Sequence, residues 1–211
     1  MKSIRYEKLN FWAKNRKNLL MLGISGVGKT AMTFGFFKEV GLSLDTNVAQ
    51  WSTPLMDFVG PKPSEAGVLF FDNLNDEVAL KAAQEIIALR RWRGQEISPT
   101  ACVWGCYTLA YDESKKERVN VPVNLGDRFE VIVQIPSRVD KAWFIERFGK
   151  NVAVAALSWL DGLSWETRES ITPRRLEQAL QMWLDKGDMR DVLPMSANVI
   201  KLMMMLNDAG R

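Results

Sequence analysis

The chain has 211 residues, 47% of them hydrophobic and 25% charged, which is the composition of an ordinary globular protein. It contains no histidine, which excludes Ser-His-Asp and Cys-His catalysis and any imidazole-based metal site. The net charge is only +3, and no apolar run approaches the roughly 18 residues that span a bilayer, so neither strong polyanion binding nor membrane insertion is expected.

The two cysteines, Cys102 and Cys106, cannot complete a tetrahedral zinc site without histidine partners, and they are too few for a disulfide framework. We expect two buried free thiols on or beside a strand, in a reducing cytoplasmic compartment. The first 17 residues carry one acid, Glu7, and six basic side chains: Lys2, Arg5, Lys8, Lys14, Arg16 and Lys17. No apolar stretch follows them, which argues against a secretory signal. The pattern favours a solvated lead-in helix, with a phosphate-contacting arm as the alternative.

Short apolar runs alternate with helical stretches through the first two thirds of the chain, which predicts an α/β domain with a mostly parallel sheet. The expected strands are residues 19–22, 48–51, 68–71, 101–104 and 130–135. The expected helices are residues 30–40 and a second one that Asp76 caps and that runs to about Trp92.

Pro136 marks the expected domain boundary, with a nucleotide-binding core over residues 1–136 and a small helical subdomain over residues 137–211. The second part reads as helices only, at 140–148, at 152–160, from Thr172 onward, and a methionine-rich one from Ser196. Thr172 is the expected N-cap and Pro173 the first helical residue, where the missing amide of proline is tolerated. For the last helix three roles stay open: packing within the subdomain, contact with a neighbouring subunit, or contact with an adaptor protein.

The sequence GISGVGKT between the first strand and the first helix of the core fits the phosphate-loop pattern G-x-x-x-x-G-K-[ST]. Glycines allow the loop amides to surround phosphates at the positive end of the following helix. Lys29 would reach the outer phosphates, and Thr30 would place its hydroxyl on Mg²⁺. The sequence therefore predicts ATP or ADP binding with Mg²⁺. The residues expected around the nucleotide are Gly23, Ser25, Gly26, Val27, Gly28, Lys29, Thr30 and Ala31.

Asp72, at the end of the strand Val68–Phe71, is the expected acid that holds Mg²⁺ through water. Proteins with this phosphate loop that hydrolyse ATP usually carry a glutamate after that aspartate, whereas Asn73 follows here. An amide cannot accept a proton, so hydrolysis is expected to be slow or to use Asp76 or Glu77. The alternative is that Asn73 orients the water by hydrogen bonding alone.

Three further segments resemble motifs of the MoxR-type AAA+ ATPases, in the family's order and over about residues 15 to 190. Asp72-Asn73-Leu74-Asn75 resembles D-E-[hydrophobic]-N, with Asn in place of Glu, and Gly126-Asp127-Arg128-Phe129 resembles [LA]-D-R-F. Thr172-Pro173-Arg174 resembles S-P-R. The resemblance implies an αβα core with a helical lid, and a homo-oligomeric ring, usually a hexamer, that holds nucleotide between neighbours.

The resemblance also implies roles for single residues. Arg128 becomes the candidate finger that reaches the next subunit's nucleotide, with Arg138 as its rival and a structural ion pair as the alternative. Arg174 becomes the lid arginine that contacts nucleotide, with Arg175 as the fallback. The position on the fourth core strand that senses the terminal phosphate falls on Tyr107 by alignment, although Thr108 is the closer chemical substitute.

The expected function is thus an ATPase that couples nucleotide turnover to remodelling a partner macromolecule, with a separate partner protein. Two alternatives stay open: a nucleotide-gated binding module with little hydrolysis, and a nucleic-acid-handling ATPase of the helicase-loader type. The second would use the basic N-terminal residues together with Arg90, Arg91 and Arg93, although charges at a helix end also suit the helix dipole.

Overall fold

The computed structural model describes residues 4–109, 111–112, 117–118, 123–135 and 140–210. The chain divides into two compact units. The first contains residues 1–24 and 29–135, and the second contains residues 25–28 and 136–211.

The first unit is built on a six-stranded sheet. The strands of this sheet are β1 (Leu19–Gly23), β2 (Val48–Ser52), β3 (Asp57–Val59), β4 (Val68–Phe71), β7 (Cys102–Thr108) and β10 (Val131–Gln134). They lie in the order β10-β1-β7-β4-β2-β3, and all neighbouring strands are parallel except β3, which pairs antiparallel with β2. Two small antiparallel hairpins accompany it: β5 (Arg91–Trp92) with β6 (Gln95–Glu96), and β8 (Tyr111–Asp112) with β9 (Glu117–Arg118).

Helices cover both faces of this sheet. The helices of the unit are α1 (Ile4–Lys14), α2 (Lys29–Glu39), α3 (Glu77–Leu89) and α4 (Val123–Gly126), with a 3-10 turn at Thr53–Leu55. On one face, Leu9 of α1 and Phe36 and Phe37 of α2 pack with Trp104. On the other face, Ile86 of α3 packs with alternate residues of the same strands. Because both faces are covered, β1 and β4 are buried along their whole length, as their unbroken apolar sequences predict.

The second unit contains only helices in its described part. They are α5 (Lys141–Phe148), α6 (Lys150–Asp161), α7 (Trp165–Ser170), α8 (Pro173–Leu184) and α9 (Val199–Ala209), with a 3-10 turn at Met189–Asp191. Phe144, Trp159, Leu176 and Leu202 are among the side chains of its own buried core. At the start of α8, the Thr172 hydroxyl accepts a hydrogen bond from the Arg175 amide, so the expected cap with proline after it is present.

Two expectations about helix ends are wrong. The helix that Asp76 caps ends at Leu89, because Arg90 takes a left-handed conformation with φ 54°. The chain then turns at Arg93 and Gly94 into the hairpin β5–β6, which was not expected. The last helix begins at Val199 rather than at Ser196, because the Asn198 side chain caps it.

The methionine-rich helix α9 packs within the second unit through Val199, Leu202 and Leu206. Its residues Ile200, Met203 and Met204 are exposed in the chain. No helix in the described part of the chain is both long and apolar enough to traverse a bilayer.

Candidate nucleotide site

The phosphate loop lies where β1 ends and α2 begins. Gly26 and Gly28 have φ values of 74° and 86°, a left-handed backbone conformation that favours glycine. The 11-residue helix α2 starts at Lys29, so the first amides of a helix follow the loop directly. Amides without helical acceptors, at the positive end of a helix, suit an anion such as a phosphate group.

Lys29 is held close to the start of the loop. Its ammonium group donates hydrogen bonds to the carbonyl oxygens of Gly23 at 2.9 Å and Ile24 at 3.0 Å. The side chain is 7% exposed, and burial of a lysine at this level calls for hydrogen-bonding partners of this kind. The positive charge of the Lys29 ammonium group therefore lies within the predicted phosphate-binding loop.

Thr30 and Asp72 meet, as the predicted metal site requires. The Thr30 hydroxyl donates a hydrogen bond to a carboxylate oxygen of Asp72, which follows β4. Hydroxyl and carboxylate oxygens are ligands that Mg²⁺ accepts, and Mg²⁺ usually keeps several waters and takes other ligands from substrate phosphates. Among the described residues no group of three His, Cys, Asp or Glu side chains could hold a metal alone. The pair therefore fits Mg²⁺ that arrives with a nucleotide.

Asn73 is exposed and engaged in its own turn. Its side-chain oxygen accepts a hydrogen bond from the Asn75 amide at 3.2 Å. Of the two acids named as substitutes for the missing glutamate, Asp76 caps α3 by accepting from the Ala79 amide at 2.8 Å. Glu77, the next residue, is exposed.

Tyr107 and Thr108 end the strand β7, which lies between β1 and β4 in the sheet. Thr108 stands opposite Gly23 in the register, directly beside the start of the phosphate loop. Tyr107 packs against the core that α3 covers. Since neighbouring residues of a strand point to opposite faces, the Thr108 side chain lies on the other face. The geometry thus separates the two candidates and places Thr108 next to the loop.

Asn75 makes the contact that sequence reasoning missed. Its side-chain amide donates to the Thr108 carbonyl at 2.9 Å and accepts from the Thr108 amide at 2.7 Å. In the sequence, Asn75 stands out only as the last residue of the motif Asp72-Asn73-Leu74-Asn75. Its partner, 33 residues away, carries no signal in the sequence because a backbone group can belong to any residue type.

The arginines assigned by resemblance are exposed. Arg128 follows α4 and donates at 3.4 Å to the carbonyl oxygen of Gln84 on α3, so it is not paired with a carboxylate in this contact. Arg138 lies outside the described residues. Arg175 donates to the Ser170 carbonyl at 3.1 Å.

Within the second unit, Gly26 of the loop lies against the start of α8. A Cβ added to Gly26 would fall 2.8 Å from the Thr172 hydroxyl oxygen and 3.0 Å from the Arg174 Cβ. The close approach leaves no room for a side chain at position 26, which gives a second reason for glycine there. It also brings the Cβ of Arg174, the candidate lid arginine, close to Gly26.

The arginines near the end of α3, which the nucleic-acid alternative would use, all make contacts within the first unit. Arg90 donates to the carbonyl oxygens of Ser98 and Ala101, and Arg91 pairs with Glu96 at 3.3 Å. Arg93 pairs with Asp57 at 2.8 Å. The Trp92 indole also donates a hydrogen bond to the Asp57 carboxylate. This hydrogen bond is the main cause that lowers the pKa of Asp57; the Phe58 amide and the charge of Arg93 lower the pKa as well, whereas burial raises it. These contacts fasten the hairpin β5–β6 to the edge strand β3.

The basic residues near the N-terminus include both exposed side chains and one that forms an ion pair. Lys8, Lys14 and Arg16 are exposed on or just after α1, whereas Lys2 lies outside the described residues and the Arg5 side chain is not described. Lys17 pairs with Glu130 at 2.7 Å, and its hydrogen bond is the main cause that lowers the pKa of Glu130.

Cys102 and Cys106 are buried free thiols on β7, as expected. Burial raises the pKa of the Cys102 thiol to about 12. Burial, followed by the nearby charge of Asp72, raises the pKa of the Cys106 thiol to about 12 as well. Neither thiol is a nucleophile at neutral pH, because the reactive form is the thiolate.

No protein-family model matches the sequence, and a search of curated proteins finds no match. Solved structures do match. NtrX from Brucella abortus in complex with ADP aligns with a TM-score of 0.55 at 19% identity, over 94% of this chain and 55% of that one. NtrX in complex with ATP aligns with a TM-score of 0.54 at 15% identity, over 99% of this chain and 59% of that one. The RuvB Holliday junction branch migration motor of Thermotoga maritima aligns at 0.48 with 16% identity, over 96% of this chain and 67% of that one.

At these identities the NtrX matches establish the fold. The chain has the fold of the AAA+ P-loop ATPases, an αβα core on a mainly parallel sheet followed by a helical C-terminal part. It spans little more than half the length of the NtrX chains.

Proposed function

We propose that this protein is an AAA+ ATPase that binds ATP together with Mg²⁺ at residues 23–31 and hydrolyses it slowly. The observation that carries the proposal is the contact between the Thr30 hydroxyl and the Asp72 carboxylate, two groups 42 residues apart that meet next to Lys29. A strand, a glycine loop and a helix alone could form a turn without a ligand. The Asp72 carboxylate next to the Thr30 hydroxyl adds the acidic group that a Mg²⁺–phosphate site needs.

In this proposal the loop amides and the Lys29 ammonium bind the phosphate oxygens, and Lys29 exchanges its carbonyl partners for them. Thr30 and Asp72 hold Mg²⁺, which neutralises charge on the phosphates when bound. Phosphoryl transfer depends mainly on positioning and charge stabilisation, so these residues account for binding and for part of the rate. In the same proposal Thr108, beside the start of the phosphate loop, orients the attacking water.

Slow turnover follows from Asn73. The carboxylate that would usually order the attacking water is replaced by an amide whose oxygen already accepts a hydrogen bond from Asn75. The same observation favours a second candidate function, a nucleotide-gated binding module in which hydrolysis contributes little. The hairpin arginines give less support to nucleic-acid handling, because Arg90, Arg91 and Arg93 are engaged in contacts within the unit.

We further propose the MoxR-like form of this activity: a cytoplasmic homo-oligomeric ring, hexameric by resemblance, that remodels a partner macromolecule. Arg128 is the candidate finger toward the neighbour's nucleotide, and it is exposed on the surface of the first unit. Such a finger stabilises the charge of the transition state and is worth about 10³–10⁵ in rate. Arg174 is the candidate lid contact to nucleotide, supported by its closeness to Gly26.

The experiment is ATP turnover of the purified protein as a function of its concentration. We expect specific activity to rise with concentration, Lys29→Ala to lose ATP binding, and Arg128→Ala to keep ATP binding but lose turnover. Arg190→Ala removes an exposed arginine that pairs with its neighbour Asp188, and it serves as the matched control with unchanged turnover.

A mixing test separates a finger that acts in the neighbour from one that acts in its own subunit. Lys29→Ala retains the arginine, and Arg128→Ala retains the nucleotide site. If the finger reaches the neighbour, a mixture of the two inactive variants regains part of the activity. Wild-type protein that binds ATP without turnover at any concentration would instead establish the nucleotide-gated binding module.

A further inference from the structure

The loop after β4 is joined to the end of β7 by several independent contacts. The Leu74 amide donates to the Cys106 carbonyl at 2.9 Å, and a Cβ added to Gly105 would fall 2.2 Å from the Leu74 Cδ1 atom. One residue later, the Asn75 side chain forms its two hydrogen bonds with the backbone of Thr108. We call this pair of hydrogen bonds the Asn75 clamp.

The clamp uses both functions of one primary amide. The Nδ2 group donates to the Thr108 carbonyl while the Oδ1 atom accepts from the Thr108 amide, so both partners belong to the same residue. Asparagine supplies this donor and acceptor at the required length. Asn75 is exposed, so it contributes little by filling space in the core. The clamp fixes the position of Thr108 relative to the loop that follows β4.

The clamp connects the two sides of the candidate nucleotide site. Asp72 lies three residues before Asn75 on one side, and Leu109 follows Thr108 on the other. The Leu109 amide donates to the Gly23 carbonyl at 3.1 Å, and Lys29 donates to the same carbonyl oxygen at 2.9 Å. Hydrogen bonds therefore link Asn75, in the loop after β4, to the Thr108–Leu109 peptide group at the end of β7, and link that peptide group to Gly23 at the start of the phosphate loop.

We propose that Asn75 is a positioning residue that keeps Thr108 and Asp72 at one spacing, so that ATP turnover depends on it while ATP binding does not. This inference rests on the proposed ATPase function. The phosphate loop, which binds nucleotide, has its own support from β1 and α2. The water-orienting position, at Thr108, depends on the clamp.

The test compares kcat with ATP affinity in two variants. Asn75→Ala removes both hydrogen bonds, and Asn75→Asp keeps the size of the side chain but has no donor for the Thr108 carbonyl. We expect kcat to fall about 10–100-fold in both, the usual effect of losing a group that orients a reacting residue. The Kd for ATP should change less than about 3-fold, because the phosphate loop is intact. Asn15→Ala is the control, since its Nδ2 also donates to a carbonyl, that of Phe11 at 2.8 Å.

Two outcomes would overturn the proposal. An unchanged kcat in Asn75→Asp would mean that shape alone matters, and a loss of ATP affinity that parallels the loss of kcat would mean that Asn75 supports the fold. If wild-type protein binds ATP without turning it over, the proposed hydrolysis is wrong. Amide hydrogen exchange then tests whether Asn75 holds Thr108 in place. Exchange at Thr108 should then be at least about 10-fold faster in Asn75→Ala than in wild type, since the amide loses its acceptor. Equal exchange would refute the clamp.

Discussion

Cys102 and Cys106 make the stability of the first unit sensitive to alkaline pH. Burial raises the pKa of both thiols to about 12 in the folded protein, against 9.0 in an unperturbed cysteine. Between these values the folded state binds more protons than the unfolded state, so the free energy of unfolding falls as pH rises. The contribution is complete below pH 9 and is lost progressively up to pH 12.

We therefore expect each thiol to reduce the free energy of unfolding by about 1 kcal/mol between pH 8 and pH 10. Urea unfolding at both pH values measures this, and the double variant Cys102→Ala/Cys106→Ala is the reference that removes both thiols. Wild type should lose more stability than the double variant over this interval. Identical losses in the two proteins would show that the thiols already ionise in the folded state.

Residue-scale reasoning from sequence located most of the candidate site because its parts are local. Gly26, Gly28, Lys29 and Thr30 belong to one contiguous loop, and Asp72 ends an apolar run that is visible as a strand. The Asn75 clamp could not be found this way. It joins a side chain to a backbone group on a strand whose neighbours are set only by the sheet order.

At the scale of elements, Asp76 at the N-terminus of α3 has two candidate roles: it caps the helix, or it acts as the base in hydrolysis. Its carboxylate caps the helix by accepting from the Ala79 amide. We expect Asp76→Ala to lower the free energy of unfolding by about 1 kcal/mol, whereas Asp76→Asn keeps a capping oxygen and costs little. Thermal or urea unfolding of the two variants measures the difference.

The same pair of variants tests Asp76 as the base in hydrolysis. If turnover falls in Asp76→Asn while stability is retained, the carboxylate takes part in the chemistry. Equal turnover in wild type and Asp76→Asn assigns Asp76 to the cap alone. A stability loss as large in Asp76→Asn as in Asp76→Ala would contradict the capping interpretation.

The C-terminal end of α3 shows where element prediction failed. Apolar residues keep a helical spacing from Val78 to Ile87, Arg90 falls at the next position of that spacing, and Gly94 is a common helix terminator. A helix to about Trp92 was therefore expected. The structure uses Gly94, at φ 78°, as part of a tight turn instead. The hairpin depends on the contacts of Trp92 and Arg93 with Asp57, which lies 35 or more residues away, and such contacts leave no local pattern.

At the scale of the whole molecule, each unit has a hydrophobic core of its own. The second unit buries Phe144, Trp159, Leu176 and Leu202 among its helices. A unit with its own core can fold alone. We expect a fragment of residues 137–211 to be helical and to unfold in one cooperative thermal transition, measured by circular dichroism.

Leu202→Ala provides the control for that fragment. Leu202 is fully buried, and removing such a side chain costs about 2–5 kcal/mol, which is comparable to the roughly 3–5 kcal/mol that a core of this size supplies. The substituted fragment should lose its transition. A wild-type fragment that is already disordered would show that the helices need the remainder of the chain.

The order of strands in the sheet has a consequence for how the protein is made. The phosphate loop leaves the ribosome before β7 and β10 do, yet its strand β1 pairs with residues 102–108 on one side and 131–134 on the other. β4, which ends beside Asp72, likewise pairs with β7. Since pairing over such sequence distances comes late in folding, a nascent chain cannot assemble the site before β7 has emerged. Until then the apolar strand β1 has no sheet neighbours and is a target for chaperones that bind extended, hydrophobic chain.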